Sequence, residues 1–124
     1  MLMAMIESES LLRSAYKAFN ARDLEAAVEL MHPDVDWPNA WEGGRVVGRP
    51  AVLDYWSRQF SAVSSQVDPL GFARESDGAV TVEVHQVVHH AETGEQLSDV
   101  IVRHRYRIAD GLIVRMDVLD EPAG

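Results

Sequence analysis

The sequence predicts an α+β fold, with three N-terminal helices packed on a curved antiparallel sheet. Two observations carry this prediction. Apolar residues recur at three- and four-residue spacing up to about Val63, then alternate. Asp77-Gly78, Thr93-Gly94 and Asp110-Gly111 punctuate the alternating half, which is the pattern of consecutive hairpins. Helices and strands segregated along a chain pack as α+β.

Leu11, Leu12, Ala15 and Phe19 form one stripe on a helix over about 8–20, with Ser8 or Ser10 as candidate N-cap. The ends, 1–5 and 121–124, read as dispensable. Asp23 caps a second, short helix bearing Leu24, Ala27, Val28 and Met31. His32-Pro33 ends it, because the residue before a proline resists the α region. Val35 to Trp37 and Arg45 to Val47 read as a short extra strand pair around Glu42-Gly43-Gly44. Pro50 opens a third helix, with Val52, Leu53, Trp56, Phe60 and Val63 as its stripe. Strands are expected over 66–75, 79–91, 97–109 and 112–120, joined as a meander.

Side chains alternate across a strand, so parity assigns faces. Val100, Val102, His104, Tyr106 and Ile108 share the expected inner face; Ile101, Arg103, Arg105 and Arg107 oppose them. On the last strand Leu112, Val114, Met116 and Val118 are expected inside, with Ile113, Arg115, Asp117 and Leu119 outside. On the second long strand Val80, Val82, Val84 and Gln86 share a face. Val87-Val88 interrupts that alternation and leaves open a bulge that exchanges the sides of His85 and Gln86.

A chain of 124 residues is one domain's worth, expected over 6–120. The formal net charge of −9 disfavours nucleic-acid partners, since an acidic surface repels phosphate. There are no cysteines, so thiolate chemistry and Cys-ligated metals are excluded. The short apolar N-terminus lacks the length and basic flank of a signal peptide, and no apolar run approaches a membrane span. A cytoplasmic protein with no membrane partner is expected. His85 and His89 lie about 13 Å apart on a strand at ~3.3 Å per residue, too far for one metal ion. No metal or other cofactor is expected.

Tyr16-Lys-Ala-Phe-Asn20, Asp23-Leu24, Leu30-Met-His-Pro-Asp-Val35, Trp37-Pro-Asn39, Trp41-Glu-Gly-Gly-Arg45, Gly48-Arg-Pro50, Tyr55-Trp56 and Asp110-Gly-Leu-Ile-Val114 carry a resemblance. Over 6–120 the chain resembles the SnoaL-like branch of the NTF2-like superfamily. That is the cystatin-like, cone-shaped fold also used by ketosteroid isomerases and polyketide cyclases. The resemblance implies a pocket between the helices and the concave sheet face. It matches Asn39 to the isomerase base position and His104 to its protonated-acid position. The helix-one tyrosine position falls on Ala15, with Tyr16 rotated about 100° from it. None of the three isomerase groups is kept, and steroid isomerase activity is not carried over.

His104, among apolar neighbours on the expected pocket face, is the candidate catalytic residue, because an imidazole titrates near neutrality. Trp37, Asn39 and Trp41 are placed to grip a flat ligand, with Asn39 fixing its polar end. Tyr16, Tyr55 and Gln59 reach toward the same space with polar tips, and Gln86, Tyr106 and Met116 belong to the pocket face. Trp56, on the helix-three stripe, reads as core. Asp36, Glu42 and Asp120 are weaker acid–base candidates. The expected ligand is small, apolar or aromatic, and cyclic. Three readings stay open: cofactor-free isomerase, cyclase or hydratase chemistry; ligand binding without chemistry; and a dimeric accessory module. A homodimer is expected through the outer face bearing Arg103, Arg105, Ile113 and Leu119.

Overall fold

The computed structural model describes residues 2–39 and 42–119, with side chains from residue 6 onward. The order is α1 (Leu2–Asn20), α2 (Leu24–Glu29), β1 (Met31–Pro38), β2 (Arg45–Val47), α3 (Arg49–Ala62), β3 (Val63–Arg74), β4 (Val80–His90), β5 (Gln96–Ala109) and β6 (Leu112–Val118). One curved sheet, ordered β2-β1-β6-β5-β4-β3, holds the helices on its inner face. Every neighbouring pair is antiparallel except β1 and β6, which run parallel.

Helix α1 starts well before residue 8, so Ser8 and Ser10 are interior residues and cap nothing. Leu2, Met3, Ala4 and Met5 are good helix formers, and they extend the helix through the segment read as dispensable. Leu12 and Tyr16 are its buried residues, with Leu11, Ala15 and Phe19 packed beside them. The chain turns at Arg22, which has φ 63°. Asp23 then caps α2 as expected, its Oδ1 accepting from the Ala26 N–H at 3.3 Å. Met31 does not close that helix. It opens β1 opposite Ile113 of β6, because the parallel pairing captures the chain before Pro33.

Asn20 ties α1 to the sheet. Its Nδ2 donates to the Val67 carbonyl at 2.7 Å and its Oδ1 accepts from the Val67 N–H at 2.9 Å. One carboxamide thus acts as an extra rung on edge strand β3, whose outer backbone groups would otherwise be open to pairing. On the other flank Arg45, Arg115, Asp36 and Asp117 form a ring of ion pairs joining β2, β1 and β6. Arg115 holds the Asp117 carboxyl below its ordinary range.

Two irregularities set the faces. Between β4 and β5 the register slips only after Val88, where Leu97 is the extra residue. The alternation is intact before it, so Gln86 stays inside and His85 faces out, 2.7 Å from Asp99. Between β5 and β6 the pairs run Tyr106↔Met116, Arg107↔Arg115, then Ile108↔Ile113. Val114 is the additional residue, and a one-residue bulge exchanges the faces beyond it. Ile113 is therefore fully buried in the core and absent from the outer face where parity put it.

Candidate functional site

Helices α1 and α3 close over the inner face and leave a cavity of about 110 Å³. The floor is apolar: Ala27 and Met31 from the α2–β1 corner, Val67, Met116 and Val118 from the sheet, and Phe19 and Trp56 from the helices. Val82 and Val102 are buried on the same face without lining the cavity; Val100 packs against the core. No charged side chain is among the described residues that line it.

Three polar groups of the lining meet one another. The Tyr106 hydroxyl donates to the Tyr16 hydroxyl at 2.7 Å, and the Tyr16 hydroxyl lies 2.9 Å from His104 Nδ1. The direction of the Tyr16–His104 bond sets the tautomer: with Tyr16 donating to Nδ1, a neutral imidazole carries its one N–H on Nε2.

All three groups are buried and neutral at physiological pH. Burial lowers the His104 pKa from 6.5 to about 4. Tyr16 is raised well above its ordinary value by burial and then by Tyr106 beside it. Tyr106 is raised by burial. His104 is thus not the near-neutral titrating group that residue type alone predicts. Buried and neutral, its imidazole is a weak proton acceptor.

Of the residues expected at the pocket, Tyr16, Trp37, Tyr55, Gln59, Gln86, His104, Tyr106 and Met116 line the cavity. Trp56, read as core, lines it as well, with its ring 5.6 Å from that of Trp37. Asn39 does not. Its side chain is spent on the 39–44 turn, accepting from the Glu42 N–H at 2.7 Å and donating to Glu42 Oε1 at 2.9 Å. Glu42 in turn pairs with Arg58 of α3, and the hydrogen bonds from Arg58 and Asn39 hold its pKa at about 2. Asp36 is tied to Arg45 and Arg115. Neither carboxylate is among the described residues that line the cavity. Trp41 and Asp120 lie outside the described residues.

Tyr16 corrects the position-by-position comparison. Rotation by one residue does not carry it away, since the wide face of α1 turns both Ala15 and Tyr16 toward the cavity. Ser65 is a cavity residue that the sequence reading missed. It precedes the first residue of the expected strand, because β3 begins three residues earlier than the alternation signals.

A family model described as SnoaL-like domain matches residues 12–116. No curated protein matches the chain in sequence. Among solved structures the chain is similar to TerC co-crystallised with polyporic acid, at 21% identity and a TM-score of 0.80, covering 93% of this chain and 92% of that one. It is similar to Rv0760c of Mycobacterium tuberculosis in complex with estradiol-17β-hemisuccinate, at 20% identity and a TM-score of 0.79, covering 94% and 95%. An NTF2-like protein of unknown function from Burkholderia pseudomallei matches at 20% identity and a TM-score of 0.79, covering 93% and 91%.

Proposed function

This chain belongs to the SnoaL-like family, and on that footing we propose that its cavity binds a small, uncharged, cyclic molecule through the His104 imidazole. The observation that carries the reading is the buried Tyr106–Tyr16–His104 contact on the wall of an apolar cavity; we take Tyr16 to donate to Nδ1, which leaves the Nε2 N–H for a ligand. An oxygen of the ligand completes the chain. Aromatic walls from Trp37, Tyr55 and Trp56 suit a flat ring. Two structural relatives hold small organic ligands, polyporic acid and a steroid ester, which agrees with this use of the fold.

Binding is favoured over proton-transfer catalysis. A general base works best with a pKa near the working pH, and burial takes His104 well below that. The catalytic reading keeps the same group in a different role. A neutral imidazole can stabilise negative charge developing on a substrate oxygen, with solvent water taking the proton that the substrate loses. We take residues 6–120 as one domain, working in the cytoplasm as a homodimer. The outer face supports the dimer, since Ile101 is 59% and Leu97 50% exposed there.

The test is calorimetric titration with 4-ethylphenol and with 4-ethyltoluene, which lacks the oxygen. His104→Phe should weaken the phenol about three- to tenfold, the range of one net hydrogen bond, and leave the toluene unchanged. Equal loss for both compounds would assign His104 to packing alone.

A further inference from the structure

Three polar side chains of the cavity have no place in the Tyr106–Tyr16–His104 chain. Gln59 of α3, Ser65 of β3 and Gln86 of β4 all line it. Ser65 is 3% exposed. None of the three side chains forms a hydrogen bond with another described residue, and Gln59 and Gln86 are half-buried, so their polar atoms are free to meet a ligand.

Strand register places this cluster away from His104. Ser65 pairs across to Val88 and Val67 to Gln86, whereas His104 pairs to Val82. Positions 82 and 86 of β4 lie about 13 Å apart at ~3.3 Å per residue. The two polar ends are thus set apart along the sheet by a span that one ring with an oxygen at each para position, one of them through an extra carbon, suits. The cavity of about 110 Å³ is smaller than the ~150 Å³ that accommodates benzene, which limits the enclosed part of a ligand to one ring.

We propose that the cavity selects a single-ring molecule with an oxygen function at each end. One oxygen sits on His104 Nε2. The other, a hydroxyl or carbonyl, sits among Ser65, Gln59 and Gln86, whose amides and hydroxyl offer both donors and acceptors. The inference rests on the binding reading above and names the ligand class for the same cavity. The amides also confer selectivity: a one-ended ring leaves them unpaired against its apolar end, and a site built to hydrogen-bond a group rejects the analogue that lacks it.

The experiment compares 4-hydroxybenzyl alcohol with its one-ended isostere, 4-ethylphenol, by calorimetric titration. The wild-type chain should bind the alcohol about threefold or more tightly than the phenol. In Gln59→Leu/Gln86→Leu the preference should reverse, with 4-ethylphenol bound at least as well as before. Circular dichroism checks that the double variant is folded; should it not be, Ser65→Ala is expected to narrow the preference in the same direction. Binding of 4-ethylphenol with no preference for the alcohol in wild type, and no change in the variants, overturns the two-ended site and leaves the cavity reading standing. Failure of both compounds to bind wild-type protein overturns the cavity reading and this inference together.

Discussion

His104 shows how far residue type and placement can diverge. Its location on the pocket face was legible from parity alone, because Val102, His104 and Tyr106 keep strict alternation along β5. Its protonation was not legible, because that depends on burial under α1, a contact 88 positions away. The pH consequence follows from the sign of the shift. The folded-state pKa of about 4 lies below the unfolded value of ~6.5, so the unfolded chain takes up the proton first. The stability His104 contributes is full above pH ~6.5 and is lost as pH falls through about 4, an amount on the order of 3 kcal/mol. Denaturant midpoints measured across that window should fall with pH in wild type. His104→Gln should flatten this part of the dependence, and an unchanged slope would mean that the imidazole is charged or solvated in the folded protein.

At the scale of elements, the hairpins, the third helix and the strand pair around 42–44 were readable because turn chemistry marks them. Asp110 and Gly111, both at positive φ, make the β5–β6 turn where Asp-Gly predicted it. The bulge at Val114 carries no such mark. Leu112, Ile113 and Val114 are all aliphatic, so either register satisfies the sequence pattern, and only packing against Met31 and Ile108 selects the observed one. The same ambiguity hid the parallel pairing of β1 with β6. Its consequence is testable by placing one charge at each of two isoleucines. Ile113→Asp buries an unpaired carboxylate at a fully enclosed site and should cost about 4 kcal/mol or more, much of a small domain's stability. Ile101→Asp, at a site 59% exposed, should leave thermal stability within about 0.5 kcal/mol of wild type per protomer and shift the proposed dimer toward monomer in sedimentation. A stable, folded Ile113→Asp would contradict the bulge, and a wild-type chain that sediments as a monomer at micromolar concentration would contradict the dimer.

For the whole molecule, the order of helices and hairpins implied helices packed on a curved antiparallel sheet, and that is the fold observed. The cone and its pocket were implied by the resemblance to the SnoaL-like branch. What it could not supply was the partition of polar residues between the pocket and its supports. Asn39 lies next to the cavity-lining Pro38 and within two residues of Trp37, yet its carboxamide closes a turn. Gln86, with a similar side chain, lines the cavity with no hydrogen bond to another described residue. The difference lies in local geometry: Asn39 has a backbone N–H three residues on within reach, an arrangement that a strand position does not offer. Tyr16, Tyr106 and His104 meet because the Tyr16 side chain of α1 reaches across to β5. The account therefore rests on one arrangement of protons assembled from two distant parts of the chain. Nitrogen-15 NMR of histidine-labelled protein at pH 7, with and without 4-ethylphenol, tests it most directly. The account predicts a neutral His104 with Nε2 protonated and Nδ1 bare, and His104 signals that shift saturably as the phenol is added. A charged imidazole, a proton on Nδ1, or signals that stay still while calorimetry reports saturation would contradict it.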